Sequence, residues 1–453
     1  MNKLFGTDGV RGVVNEFFTP IFAAKLGQAI GSFFGENSRI IVGRDVRVGG
    51  LFIKNAVIAG LLSSGVKVYD CDLAPTPAIQ YVTRDDGFDG AVIIPASHNP
   101  PQYNGVKVID SDGIEISRDK ERIIEEIFTE ERFNRIQWNR LHESIYEYRV
   151  VNDKYVKAVV EKVDKELIKN RGFKIVVDPA NSVSVLTTPR IARELGVKVY
   201  TINGDLDPYF SGREPEPTVE SLSKTITIVT SLKADLGVAH DGDGDRAIFI
   251  DDKGRILWGD RSACILAKYL LEKHPDSPRR VYTAVSSSTI IEEYLREYGV
   301  EVVWLKVGSV DIARAMKEKG DALCGFEENG GFMYPKHQFV RDGGMTLALM
   351  LELLASWRKK LSELYDDLPR MFSVKTKIPM GRDKAVKVIE VLREKYCNYR
   401  QVNIDGVKII GDDYWFLVRP SGTEPLLRVM IEARSEDRLR KILDEILDIV
   451  RGI

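Results

Sequence analysis

Short apolar runs alternate along this chain with segments of helical periodicity, and the alternation repeats. Arg39-Ile40-Ile41-Val42-Gly43 precedes a helical pattern over Leu51–Ser63 and then Gly65-Val66-Lys67-Val68-Tyr69. The same order returns as Lys174-Ile175-Val176-Val177-Asp178, Pro189–Leu195 and Gly196-Val197-Lys198-Val199-Tyr200. It returns more loosely as Arg280-Val281-Tyr282-Thr283, Thr289–Tyr298 and Gly299-Val300-Glu301-Val302-Val303. Strand, helix, strand at this spacing is a βαβ unit, because two parallel strands need a crossover between them. Internal repetition therefore predicts three copies of one α/β unit.

Each copy continues in the same way. An aspartate opens a further short strand, which runs into a polar loop. Asp89–Ile94 leads to Pro95-Ala96-Ser97-His98-Asn99-Pro100, Asp235–Val238 to Asp241-Gly242-Asp243-Gly244-Asp245-Arg246, and Asp321–Cys324 to Phe326-Glu327-Glu328-Asn329-Gly330-Gly331. Ligands of open α/β sheets bind beyond the carboxyl ends of the strands, so three equivalent loops predict one shared cleft. Past about residue 365 the pattern changes. Tyr414–Val418 and Leu426–Ile431 read as strands flanking Arg419-Pro420-Ser421-Gly422-Thr423-Glu424-Pro425, and an apolar stripe from Leu439 to Val450 reads as a helix. The expected fold is α/β, with three homologous mixed-sheet domains and a smaller α+β C-terminal domain around one central cleft. Linkers near Tyr146–Asn152, Lys253–Gly259 and Asp366–Phe372 divide the chain into 1–150, 151–255, 256–367 and 368–453.

Bulk composition narrows the function. A chain of 453 residues with 44% hydrophobic and 29% charged residues is ordinary for a multidomain globular protein. The net charge of −2 gives no reason to expect nucleic-acid or membrane binding. The N-terminus carries no secretory apolar segment, and no apolar run reaches the roughly 18 residues of a membrane span. Cys71, Cys264, Cys324 and Cys397 are widely spaced, which fits mostly buried thiols in a reducing cytoplasm.

The candidate chemistry lies in the loops. Three carboxylates on alternate residues repel one another unless a cation neutralises them, and a hard divalent ion with oxygen ligands does so. Asp241, Asp243 and Asp245 lie between apolar stretches, which favours a metal site over a solvated acidic turn. An EF-hand is excluded, because Arg246 and Asp252 stand where that loop needs glycine and glutamate. Arg246 suggests that an anionic ligand shares the site. Ser97 is the candidate nucleophile. By itself it reads as a loop serine, and neighbouring side chains on an extended loop point apart, which argues against a dyad with His98. A metal brought from another loop would change that reading. Arg419, Ser421, Gly422 and Thr423, with Arg428 from the next strand, match the oxygens of a phosphate or form a plain hairpin turn. Glu327 and Asn329 suit vicinal sugar hydroxyls or a solvated turn.

Taken together these loops resemble the α-D-phosphohexomutase family, the phosphoglucomutases, phosphomannomutases and phosphoglucosamine mutases. The resemblance runs in order through Phe5-Gly6-Thr7-Asp8-Gly9-Val10-Arg11-Gly12, Ser97-His98-Asn99-Pro100, Asn104-Gly105-Val106-Lys107, Asp241–Arg246, Glu327–Gly330 and Arg419–Arg428. It implies a phosphoserine at Ser97, with Mg²⁺ held by Asp241, Asp243, Asp245 and an oxygen at Ser97. It also implies a phosphorylated hexose substrate, a hexose 1,6-bisphosphate intermediate and activator, and a cytoplasmic monomer or homodimer. Arg11 and Lys107 match positions beside the phosphoserine, Lys107 being a candidate for acid–base work alongside His98. Arg246, Gly308, Ser309, Glu327 and Asn329 match substrate positions, and the loop with Arg419, Ser421, Gly422, Thr423 and Arg428 matches the grip on the unreacting phosphate.

Glucose and mannose phosphates are the first expectation. Phosphoglucosamine mutase is the alternative, favoured by the Phe5–Gly9 opening, and a non-catalytic sugar-phosphate-binding relative is a third that Ser97 and the three aspartates speak against. The sequence also departs from the family pattern. Pro95 replaces threonine, Ser309 follows Gly308 where histidine or aspartate is frequent, and Asn181-Ser182-Val183-Ser184 replaces a pattern richer in glycine. Gly331 stands where many relatives have a histidine, some placing it as general base, and His337 is the nearest substitute.

Overall fold

The computed structural model describes residues 4–6, 8–142, 144–421 and 425–453. Its architecture is that of three related α/β layers followed by a smaller α+β unit. The first sheet has six strands in the spatial order Val10–Val13, Tyr103–Asp110, Gly90–Ile94, Arg39–Arg44, Lys67–Leu73 and Ile145–Glu147. The second runs Ile256–Leu257, Ile248–Asp251, Leu236–Ala239, Lys174–Asp178, Lys198–Thr201, and the third Glu301–Leu305, Arg280–Ala284, Cys324–Phe326, Phe332–Tyr334, Gln338–Arg341.

One plan underlies all three. The first strand of each unit pairs in parallel with the strand after the helix and with the strand that leads into the loop. The chain then turns back, so the strand after each functional loop is antiparallel to the one before it. The βαβ spacing anticipates the parallel half. The antiparallel half arises because a loop of this length can only return beside the strand it left. Every functional loop thus sits at the carboxyl end of the third parallel strand, at the turn of a hairpin.

The fourth sheet is antiparallel throughout, in the order Phe372–Pro379, Leu426–Ala433, Tyr414–Pro420, Val407–Ile410, Arg400–Val402. The helices Arg382–Lys395 and Glu436–Gly452 cover one face of it through Val388, Leu392, Ile442 and Ile446. Two of its strands, Phe372–Pro379 and Arg400–Val402, are exposed or half-buried and carry a pattern too weak to read from the sequence.

One apolar cluster runs through the first three units, joining Ile41, Ile93, Ile175, Val238, Leu266 and Leu351. Its centre is the helix Gly343–Trp357, buried along most of its length and capped by Asp342, which accepts from Met345 N. The fourth unit has its own core, and it meets the third both through Trp415 and Leu417, which join the larger cluster, and through polar contacts. Lys408 lies buried with its ammonium over the rings of Trp304 and Trp415, at 3.7 and 4.2 Å, and donates to Ser287 O at 2.6 Å. Arg400–Glu292 and Arg434–Glu293 pairs flank it. Cys71, Cys264 and Cys324 are buried thiols, and Cys397 is exposed. Among the described residues no helix is long and apolar enough to cross a membrane.

Candidate active site

Ser97 is buried, with its backbone in the left-handed region at φ 48°. The loop is therefore bent at Ser97 rather than extended, a conformation that costs a β-carbon-bearing residue of order 1 kcal/mol or more and persists only when neighbours hold it. Those neighbours are identifiable. Arg47, fully buried, donates from Nη2 to Ser97 O at 2.5 Å and from Nη1 to Pro100 O at 2.8 Å, with its own charge balanced by Asp45 at 3.0 Å. The bend brings Ser97 Oγ 2.7 Å from Asp241 Oδ2, to which it donates, and 3.4 Å from His98 Nδ1.

The three aspartates converge as their spacing suggests. All are buried, and they offer ligand oxygens within 4.8 Å of one another. The two glycines have different tasks. Gly244 supplies a positive φ of 79°, whereas a Cβ on Gly242 would lie 2.5 Å from Ser97 O and 3.0 Å from Arg47 Nη2. One glycine bends the metal loop and the other lets it touch the serine loop.

Asp241 has both oxygens engaged, its Oδ1 accepting from Arg246 N at 3.3 Å, whereas Asp243 and Asp245 have one each. Ser97 holds Asp241 Oδ2, Thr76 Oγ1 at 2.8 Å and Lys107 Nζ at 3.1 Å hold Asp243 Oδ2, and Arg341 Nη2 at 2.5 Å holds Asp245 Oδ2. The remaining Oδ1 atoms of Asp243 and Asp245 are buried and accept no hydrogen bond. Orphaned carboxylate oxygens are costly unless a cation completes them. The hard-oxygen donor set fits Mg²⁺, with Asp241, Asp243, Asp245 and the Ser97 oxygen as the residues that would hold it.

Charge at the site is strongly coupled. Burial, then Asp245 and Asp243, push Asp241 up to about 8. Burial also raises Asp245. Burial alone would raise Asp243 too, but Lys107 outweighs it and the group is lowered. Lys107 lies 3.1 Å from Asp243, 3.3 Å from Asp8 and 3.5 Å from Asp245, and these carboxylates overcome the cost of its burial and raise it. It stands in this geometry as a fixed ammonium. Arg246 donates from Nη2 toward His98 Nδ1 at 2.8 Å and lies 3.7 Å from Asp241. Its charge, followed by burial, drives His98 down to about 2, so the imidazole is neutral. Arg11, on Val10–Val13, donates to Asn99 Oδ1 at 2.7 Å and pairs with Asp8.

The third loop is stitched to the second by its backbone. Ala247 N donates to Gly330 O and Gly259 N to Glu328 O, both at 3.0 Å. Glu327 is buried against Arg341 Nη1 at 3.0 Å, and burial raises its carboxyl. Asn329 Oδ1 accepts from Gly331 N at 3.2 Å. Gly308, at φ 142°, precedes the helix Ser309–Lys319, and Ser309 Oγ is buried without a hydrogen-bond partner. Val307 N reaches Asp405, which in turn pairs with Arg419 at 3.3 Å. Arg419 and Arg428 stand directly opposite one another across two strands. Burial, partly opposed by Asp405 and aided by Arg428, lowers Arg419, the arrangement of a site that wants an anion. Ser421 N donates to Leu426 O at 2.8 Å, while Gly422 and Thr423, like Thr7, lie outside the described residues.

His337 is drawn into packing instead. It stacks on Tyr81 at 5.0 Å and faces Asp342 Oδ2 at 3.3 Å. Sequence reasoning missed Arg47, Thr76, Asp8 and Arg341 as parts of the site. Arg47 had a readable signal, a charged Arg44-Asp45-Val46-Arg47 run at the carboxyl end of a parallel strand. Arg341 had none, since it closes a short strand 96 residues from Asp245 and 333 from Asp8.

Models of four domain families match the chain in order. They are phosphoglucomutase/phosphomannomutase alpha/beta/alpha domain I over residues 2–135, domain II over 153–254, domain III over 258–372 and the C-terminal domain over 375–449. A phosphoglucosamine/phosphogalactosamine mutase of Sulfurisphaera tokodaii is 54% identical, with 100% of both chains covered. A phosphoglucomutase/phosphomannomutase of Thermococcus kodakarensis is 42% identical over 98% of this chain and 97% of its own. The crystal structure of a phosphoglucomutase/phosphomannomutase family protein from Burkholderia thailandensis superposes with a TM-score of 0.88 at 27% identity, covering 100% of this chain and 98% of the other. Four domain models matched in order, with a full-length relative at 54% identity, place this chain in the phosphoglucomutase/phosphomannomutase family of phosphohexomutases, as an isomerase of the phosphomutase type.

Proposed function

We propose that the protein interconverts the 6- and 1-phosphates of glucosamine through a phosphoserine at Ser97 and a hexosamine 1,6-bisphosphate. The observation that carries the mechanism is the placement of Ser97 Oγ, 2.7 Å from Asp241 and beside the orphaned oxygens of Asp243 and Asp245. Mg²⁺ at those oxygens would supply neutralisation of phosphoryl charge, the main requirement of a loose phosphoryl-transfer transition state. The chain's own residues do the rest. The bend at Ser97 aims its oxygen into the cleft, and Arg47 keeps it there. Lys107, protonated among three carboxylates, and Arg11 add fixed positive charge beside the transferred group. In the forward step the Ser97 O–P bond breaks as a sugar hydroxyl forms its O–P bond, and the hydroxyl proton passes in net to Ser97 Oγ, which becomes a free serine hydroxyl. The bisphosphate then turns over, and its other phosphate returns to Ser97 as the free hydroxyl is regained. Arg419, Ser421 and Arg428, with Gly422 and Thr423, would hold the phosphate that is not reacting, and Gly308, Ser309, Glu327 and Asn329 the sugar.

The 54% identical relative supports the amino sugar, which the sequence placed second. The relative at 42% supports glucose and mannose phosphates as a second substrate class. Rates on glucosamine, glucose and mannose 1-phosphates with Mg²⁺ and glucose 1,6-bisphosphate separate the two. Failure to turn over any of them rejects the mutase reading. Ser97→Ala is expected to abolish turnover and the roughly 80 Da adduct of a phosphoserine while sugar-phosphate binding persists.

A further inference from the structure

Gly331 and Arg341 form a pair whose geometry explains both residues. Gly331 is not among the glycines with positive φ, so its backbone suits any residue and only its missing side chain matters. A Cβ there would lie 2.3 Å from Arg341 Cδ and 2.8 Å from Cγ. The glycine is a notch through which the arginine stem passes. Beyond the notch the guanidinium, buried, meets carboxylates from three separate loops. Nη1 pairs with Glu327 at 3.0 Å, and Nη2 with Asp245 at 2.5 Å and with Asp8 at 3.3 Å. A planar fork can fix two carboxylates in orientation at once, which an ammonium cannot.

We propose that Arg341 is a positioning residue of the mutase site, tying the sugar loop at Glu327 to the metal loop at Asp245, and that Gly331 serves as its passage. The inference rests on the mutase reading above. By occupying Asp245 Oδ2, Arg341 leaves Oδ1 as the oxygen presented to a cation, and by holding Glu327 it sets where a sugar hydroxyl or ammonium is met. No other cation is within ion-pair distance of Glu327 among the described residues.

The test uses the full chain with Arg341→Met, Arg341→Lys, Gly331→Ala and the Gly331→Ala/Arg341→Met double variant. Folding is followed by circular dichroism, turnover by kcat and KM on glucosamine 1-phosphate, and Mn²⁺ affinity by electron paramagnetic resonance. Arg341→Met is expected to lower kcat about a hundredfold, the scale of a misplacement near 1 Å. Arg341→Lys restores no more than about a tenth of it, because charge without the fork does not orient both carboxylates. Gly331→Ala acts in the same direction, and the double variant is within about threefold of Arg341→Met, since both changes remove one interaction. Mn²⁺ binds at least about threefold more tightly to Arg341→Met, because Asp245 is freed and a competing positive charge is gone. Losses that multiply in the double variant overturn the passage. Mn²⁺ affinity unchanged within about twofold in a folded Arg341→Met overturns the link to the metal loop. If the parent chain turns over no hexose phosphate, the mutase reading has failed, and the Mn²⁺ titrations still decide whether Arg341 governs Asp245.

Discussion

Gly242→Ala isolates the contact between the metal loop and the serine loop. Position 242 has no positive φ, so alanine is not excluded by its backbone; the conflict is one of space alone. The added methyl would sit 2.5 Å from Ser97 O and 3.0 Å from Arg47 Nη2. Ordinary carbon–oxygen contact begins near 3.4 Å, so the two loops must separate by about 0.9 Å. Neither can yield cheaply, because the carbonyl is backbone and Arg47 is pinned by Asp45 and Pro100 O. Moving Ser97, the proposed phosphoryl carrier, by that distance relative to Asp241 is expected to cost about a hundredfold in kcat/KM, or about 2.7 kcal/mol of transition-state stabilisation. Overpacking adds about 1–3 kcal/mol of destabilisation. Steady-state mutase kinetics with Mg²⁺ and bisphosphate activator, beside intact-mass measurement of Ser97 phosphorylation, read the effect. Activity within threefold of the parent, with phosphorylation unchanged, would refute the claim that this contact sets the position of Ser97.

Further outcomes follow from the same geometry. Arg47→Met leaves Asp45 buried without its partner and should cost about 3–5 kcal/mol, seen as a lower thermal midpoint together with weakened phosphorylation of Ser97. Asp243→Asn and Asp245→Asn each remove charge from an orphaned ligand oxygen and should weaken Mn²⁺ binding by more than about tenfold, measured by titration; unaltered affinity would place the cation elsewhere. Burial lowers Lys408 to about 7, with Glu432, Glu292 and Glu328 opposing it. Because its folded value lies below the unfolded one, the unfolded chain binds the extra proton between them. Stability therefore rises with pH from about 7 toward 10, by up to ~1.4 kcal/mol per unit. Lys408→Met should flatten that slope in calorimetric melts, and equal slopes in parent and variant would contradict it.

Much of this site was legible because it is built from local motifs at a repeated topological position. Asp241, Asp243 and Asp245 announce themselves by spacing, and the recurrence of a strand before Ser97, Asp241 and Glu327 predicts that their loops converge. What was not legible depends on distance in sequence. Arg341 reaches Asp245 and Asp8 from 96 and 333 residues away, and no spacing rule joins them. The left-handed bend at Ser97 escaped for a related reason, since it is imposed by Arg47 and the close approach at Gly242 rather than by any turn residue of its own loop. The two edge strands of the fourth sheet, Phe372–Pro379 and Arg400–Val402, were hidden because exposed edges carry a mixed pattern.

The backbone bonds that lace the loops together also fix when the site can come into being. Asp243 O accepts from Thr76 N, Gly244 O from Gly343 N, and Gly330 O from Ala247 N, so the metal loop borrows backbone partners on both sides of itself in the chain. A nascent polypeptide that ends after the second sheet has all three aspartates, Ser97 and the bond from Thr76 N, but lacks the bonds made by Gly330 and Gly343. The backbone frame of this loop is thus completed only once residues 330 and 343 have been made, the last of its partners being supplied by the third unit.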